Sequence, residues 1–71
     1  MALGNKTMLT PRETEVLGWV AHGKSAREIG KILGIAKRTV DKHVASIIYK
    51  LGARNRTQAV ALAVHEHLLE F

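Results

Sequence analysis

Cysteine is absent from these 71 residues, so neither a disulfide nor a thiolate zinc site can hold the fold together, and helix packing has to suffice. Aromatic side chains are nearly absent too. With one Trp, one Tyr and one Phe in a chain that is 46% hydrophobic, the core must be built from Leu, Ile, Val and Ala, which suits packed helices better than a β-sandwich. The expected fold class is therefore all-α. No apolar run approaches the length of a transmembrane helix, and the start "MALGNKTM" has no apolar stretch ahead of Lys6 that would make a secretory signal. The reading is a cytoplasmic protein that stays off membranes. A chain this short forms one domain with a single core and little interior for a deep substrate pocket, which argues against an enzyme.

Acidic residues are also scarce, and their placement matters more than the net charge of +5. Residues 24–56 carry Lys24, Arg27, Lys31, Lys37, Arg38, Lys42, Lys50, Arg54 and Arg56 against only Glu28 and Asp41, a local balance of +7, while the remainder sums to −2. A basic middle on an acidic frame is the pattern of a polyanion binder, because phosphate neutralisation supplies most non-specific affinity. On charge alone, a solvated basic surface with no partner stays open.

Four helices are expected, over about 11–22, 26–33, 37–51 and 56–69, after a flexible segment 1–8. Thr10-Pro11-Arg12-Glu13 reads as a capping box with Pro at the first helical position, ahead of the apolar face of Val16, Leu17 and Val20. Gly23 is placed to end that helix in a left-handed cap, and Gly18 inside it weakens the helix but permits close packing. Ser25-Ala26-Arg27-Glu28 repeats the box, followed by Ile29, Ile32 and Leu33 at i, i+3, i+4 and a stop at Gly34. Only Gly34, Ile35 and Ala36 then precede the next periodic run, the spacing of a helix-turn-helix.

That run commits Val40, Val44, Ile47, Ile48 and Leu51 to the core. At about 100° per residue the opposite face holds Arg38, Lys42, Ala45 and Tyr49, with Ser46 beside them. Asn55 with Gln58 forms another capping arrangement, after which residues 59–64 are apolar in succession. A helix apolar around most of its circumference needs a second burial surface, so Val60, Ala61, Val64 and Leu68 are expected to pair two copies, unless the helix is simply central to the core.

In combination, "LTPRE.EVL", "G.S..EI...L.I", "TV..H...I..KL" and "R..AVA.A" resemble the LuxR/FixJ-type (GerE-like) helix-turn-helix domain over residues 9–69. The resemblance implies the output domain of a bacterial response regulator or quorum-sensing regulator. Such a domain binds inverted-repeat double-stranded DNA as a homodimer, works with RNA polymerase, and is joined to an upstream regulatory domain outside these residues. It implies no cofactor. Base contacts would fall on Asp41, Lys42 and Ala45, and phosphate contacts on Lys37, Arg38, Thr39, His43 and Lys50. The family usually has Ser or Thr where Ala36 stands, so one amide at the start of the third helix lacks its side-chain partner; Gly30 stands where Ala is common and weakens the second helix slightly.

Plainer readings compete at several positions. Lys42 is placed to donate to guanine, or it only touches phosphate; Asp41 meets a cytosine N4 donor, or it pairs within its helix with Lys37 or Arg38. Tyr49 donates to phosphate or lies along the surface. Glu13 serves the capping box or pairs with Lys50, and Trp19 is scaffold rather than a stacking platform. His65 and His67 point about 200° apart on a helix and cannot chelate one metal ion. Asp41, His43 and Ser46 have no enclosing pocket and make no catalytic site. The alternative function is a helical protein-interaction module that uses the apolar fourth helix and survives loss of Lys42 and Arg38.

Overall fold

The computed structural model describes residues 9–69; the expected N-terminal segment 1–8 lies outside the described residues. In the first capping box the Thr10 hydroxyl accepts from the Glu13 amide at 3.1 Å and the Glu13 carboxylate accepts from the Thr10 amide at 2.9 Å, which opens α1 (Pro11–Ala21). Ser25 and Glu28 close the same box at 3.1 and 2.8 Å ahead of α2 (Ala26–Leu33). Glu28 is held below its usual range chiefly by the Ser25 amide. After the three-residue turn, α3 (Lys37–Leu51) starts from Ala36 with no side-chain cap. Before α4 (Arg56–His65), Asn55 accepts from the Gln58 amide at 2.8 Å, while the Gln58 side chain reaches one residue further back, to the Arg54 amide at 2.7 Å.

All four helices stop in the same way. An amide beyond each end reaches back five residues: Lys24 to Trp19, Ile35 to Gly30, Ala53 to Ile48 and Leu68 to Ala63, at 3.1, 2.9, 3.0 and 2.7 Å. The left-handed residue this closure needs is Gly23, Gly34 or Gly52 in three cases and His67, at φ 64°, in the fourth. The last helix therefore ends at His65, short of the expected 69. Its closure turns Leu69 back against the core, a pull that the local sequence does not advertise.

Helices α1 and α3 each pack on all of the other three, whereas α2 and α4 do not meet. The core comprises Val16 and Leu17 of α1, Ala26 and Ile29 of α2, Val40, Ile47 and Leu51 of α3, and Ala59 and Ala63 of α4, with Leu9 against them. Val20, Val44 and Ile48 pack partly buried around it. Ile32, expected inside, is 45% exposed. The buried side of α2 is instead Ala26, Ile29 and Gly30, and at Gly30 its backbone comes close to the turn. A Cβ at Gly30 would lie 2.6 Å from the Ile35 carbonyl oxygen, so this glycine does more than weaken its helix: it makes room for the turn. Gly18 is the reverse case. A Cβ there would meet nothing within 4 Å, and no close approach depends on it.

Candidate nucleic-acid interface

The side chains that matter are distributed around α3. Its first turn presents Lys37 and Arg38 to solvent at the positive end of the helix, with no acidic residue in that turn and no capping side chain at Ala36. Cations at an uncapped N-terminus are locally unfavourable and are relieved by an anion. Asp41, Lys42 and Ala45 follow along the same solvent side, all exposed, and Tyr49 is 87% exposed one turn further on. Arg38 and Lys42 make no ion pair or side-chain hydrogen bond among the described residues, so both are available to a partner. Thr39 and His43 lie half-buried on the flank.

Asp41 adopts the pairing within its helix: the Lys37 ammonium donates to its Oδ2 at 2.8 Å, one turn back. Both side chains remain largely in water, at 61% and 48% exposure, so the pair adds little to stability.

The other end of α3 turns inward. Glu13, 5% exposed at the start of α1, accepts from the Ser46 hydroxyl and the Lys50 ammonium at 2.8 Å each, while keeping its capping bond to Thr10. The two readings of Glu13 thus hold at once. Burial pushes its pKa up, but the Lys50 hydrogen bond, the Thr10 amide, the Ser46 hydroxyl and the Lys50 charge outweigh it and lower the value from 4.5 to about 2. Ser46 and Lys50 both turn toward α1 in consequence. Ser46, placed beside the outward face by periodicity, points at α1. Lys50, a phosphate candidate by resemblance, is half-buried on Glu13. Ser46 and Lys50 are one turn apart on the same row, a spacing that hints at a shared partner; the sequence reading pairs Glu13 with Lys50 but does not bring in Ser46, 33 residues from Glu13.

On α4 the outward side carries Ala61 and Val64, the latter 39% exposed, with Val60 on its shoulder. An open cleft of about 250 Å³ adjoins it, lined by Val20, Ala21, Arg56, Thr57 and Val60. Leu68 lies in the closing turn rather than on the helix. Trp19 sits half-buried against the core, its ring 6.1 Å from that of His22, in keeping with a scaffold role. Among the described residues no three His, Asp or Glu side chains converge as a metal site, and no helix is long and apolar enough to cross a membrane.

The family described as "Bacterial regulatory proteins, luxR family" matches residues 7–63. The chain belongs to the LuxR family. Among relatives of this LuxR-family helix-turn-helix domain is the transcriptional activator protein BjaR1 of Bradyrhizobium diazoefficiens, 56% identical over 63 residues that cover 89% of this chain and 26% of that protein. The quorum sensing-dependent transcriptional regulator RpaR of Rhodopseudomonas palustris is 52% identical over 59 residues, 83% of this chain and 24% of that protein. The LuxR-family domain thus spans about a quarter of the length of these curated relatives, which are transcription regulators and not enzymes. In three dimensions it resembles the transcription factor GerE, with a TM-score of 0.84 at 32% identity over 87% of this chain and 92% of that one. It also resembles the response regulator ChrA of a heme-sensing two-component system, with a TM-score of 0.86 at 34% identity over 96% of this chain and 34% of that one. The all-α, four-helix expectation and the family resemblance are both borne out.

Proposed function

We propose that this LuxR-family domain binds double-stranded DNA sequence-specifically, with α3 in the major groove and two copies on an inverted repeat. The observation that carries this reading is the division of α3 into a face locked to the core and an outward face with Arg38 and Lys42 unpaired. A helix of this width enters the major groove, where side chains meet base edges. Lys42 and Ala45, with Asp41, are the base-facing set; Lys37, Arg38, Thr39, His43 and Tyr49 flank it toward phosphate. Lys50 belongs to the scaffold through Glu13. The exposed Val64 and Ala61, with Val60, form the dimer patch. In the cell the domain acts as the cytoplasmic output module of a longer regulator that addresses RNA polymerase.

Selection on randomised duplex DNA at near-physiological salt, followed by anisotropy titration of the winner and a scrambled control, tests this. Recovery of an inverted repeat with half-sites about one helical turn apart is the expected result. Lys42→Ala relaxes base preference, and Val64→Glu weakens binding to paired half-sites while the fold persists. Equal, steeply salt-dependent binding to both duplexes defeats the proposal and favours a protein-interaction module built on α4.

A further inference from the structure

We infer that Asp41 and Lys37 act as one recognition unit that demands a base with an exocyclic amino group, cytosine above all, at one position of each half-site. This rests on the reading of α3 as the major-groove helix. A carboxylate on a helix that approaches a polyanion is repelled unless its charge is offset, and here the Lys37 ammonium offsets it at 2.8 Å. The geometry of that bond matters. Lys37 holds Oδ2 alone, so Oδ1 has no partner among the described residues and remains an acceptor on an exposed side chain. One turn further along the same row stands Ala45, itself small and exposed.

An ionised carboxylate only accepts hydrogen bonds. In the major groove guanine shows N7 and O6 and thymine shows O4, all acceptors that repel it; cytosine shows the N4 donor, and adenine shows the N6 donor beside its N7 acceptor. The order of preference at this position is therefore cytosine, then adenine, then guanine and thymine. Lys37 is a positioning residue in this scheme: it holds Oδ2 and leaves Oδ1 to accept from a base.

The test uses the 71-residue chain and its selected duplex, with all four base pairs placed in turn at every half-site position and affinities read by anisotropy at fixed salt. Wild type should show one position where cytosine beats guanine and thymine by about tenfold. Asp41→Ala should flatten that position to within about twofold and leave the others intact. Asp41→Asn should move its preference to adenine, since an amide can donate to N7 and accept from N6. Lys37→Met should cut the discrimination there by about threefold beyond any uniform loss. Both positions are exposed, and circular dichroism melts check that the variants fold. An unchanged profile in both Asp41 variants overturns the inference, and a uniformly weaker but unchanged profile in Lys37→Met overturns the positioning role. A wild-type chain with no preferred sequence overturns the major-groove reading itself, a failure separable from the other two.

Discussion

The two halves of α3 contain the same chemical contact and use it differently. Near the C-terminal end Lys50 meets Glu13 at 2.8 Å; near the N-terminal end Lys37 meets Asp41 at 2.8 Å. Distance does not separate them, but burial does. Glu13 is enclosed, satisfied by Thr10, Ser46 and Lys50 together, and ties two helices across 37 residues of sequence. Asp41 shares a solvated surface with a neighbour one turn away. The C-terminal half also holds Ile47 and Leu51 in the core and closes on Gly52, whereas the N-terminal half buries Val40 alone and starts from an uncapped Ala36 with two cations at the positive end of the helix. Stability is concentrated in the half that faces the scaffold. The other half is left locally suboptimal, as expected of a surface completed by a partner.

Removing the enclosed contact should have the largest effect. Glu13→Ala leaves the Thr10 amide, the Ser46 hydroxyl and the half-buried Lys50 ammonium without their acceptor, and should cost about 3 kcal/mol in urea unfolding. A loss below about 1 kcal/mol would erase the contrast between the halves. Acid should act on the same group. Its folded pKa, about 2, lies below the ordinary 4.5, so its contribution is complete above about pH 5 and is lost as pH falls through 4.5 toward 2. The wild-type chain should therefore lose about 3 kcal/mol over that window from this group, and Glu13→Ala should show a correspondingly flatter profile in thermal melts followed at each pH.

The anchored half was only partly legible in the sequence. Periodicity identified the core stripe from Val40 to Leu51 because each position is decided by local spacing, and the capping boxes at Thr10 and Ser25 are local as well. Ser46 escaped because its partner is 33 residues away, whereas Lys50 was already one of the two partners open to Glu13. Helix α2 misled for a related reason: apolarity nominated Ile32, while close approach of backbones selected Gly30. The working half was easier to read, since exposed residues answer to few tertiary partners. Asp41 with Lys37 emerged from neighbours within one turn, and the missing cap at Ala36 from the family resemblance, which puts Ser or Thr there.

The uncapped end can be sharpened by repair. Ala36 has φ −69° and ψ 149°, the extended conformation of an N-cap, so Ala36→Ser needs no backbone change for its hydroxyl to accept an amide of the first turn. The expected gain is about 1 kcal/mol in the urea midpoint analysis, smaller than the Glu13 loss and opposite in sign. No gain would mean that this end is already satisfied by water, and that the contrast between the halves lies in packing alone.

The smallest effect belongs to the exposed pair, and its smallness is what makes it informative. Asp41→Asn removes one charge from a contact whose side chains are about half exposed, so its cost in stability should be about 0.5 kcal/mol or less and should shrink further in high salt. Melts at low and high ionic strength measure both quantities. A cost approaching that of Glu13→Ala would show that the N-terminal half is as structurally committed as the other. A negligible cost, together with a changed base preference, would place Asp41 outside the machinery that folds the domain and inside the surface that reads its partner.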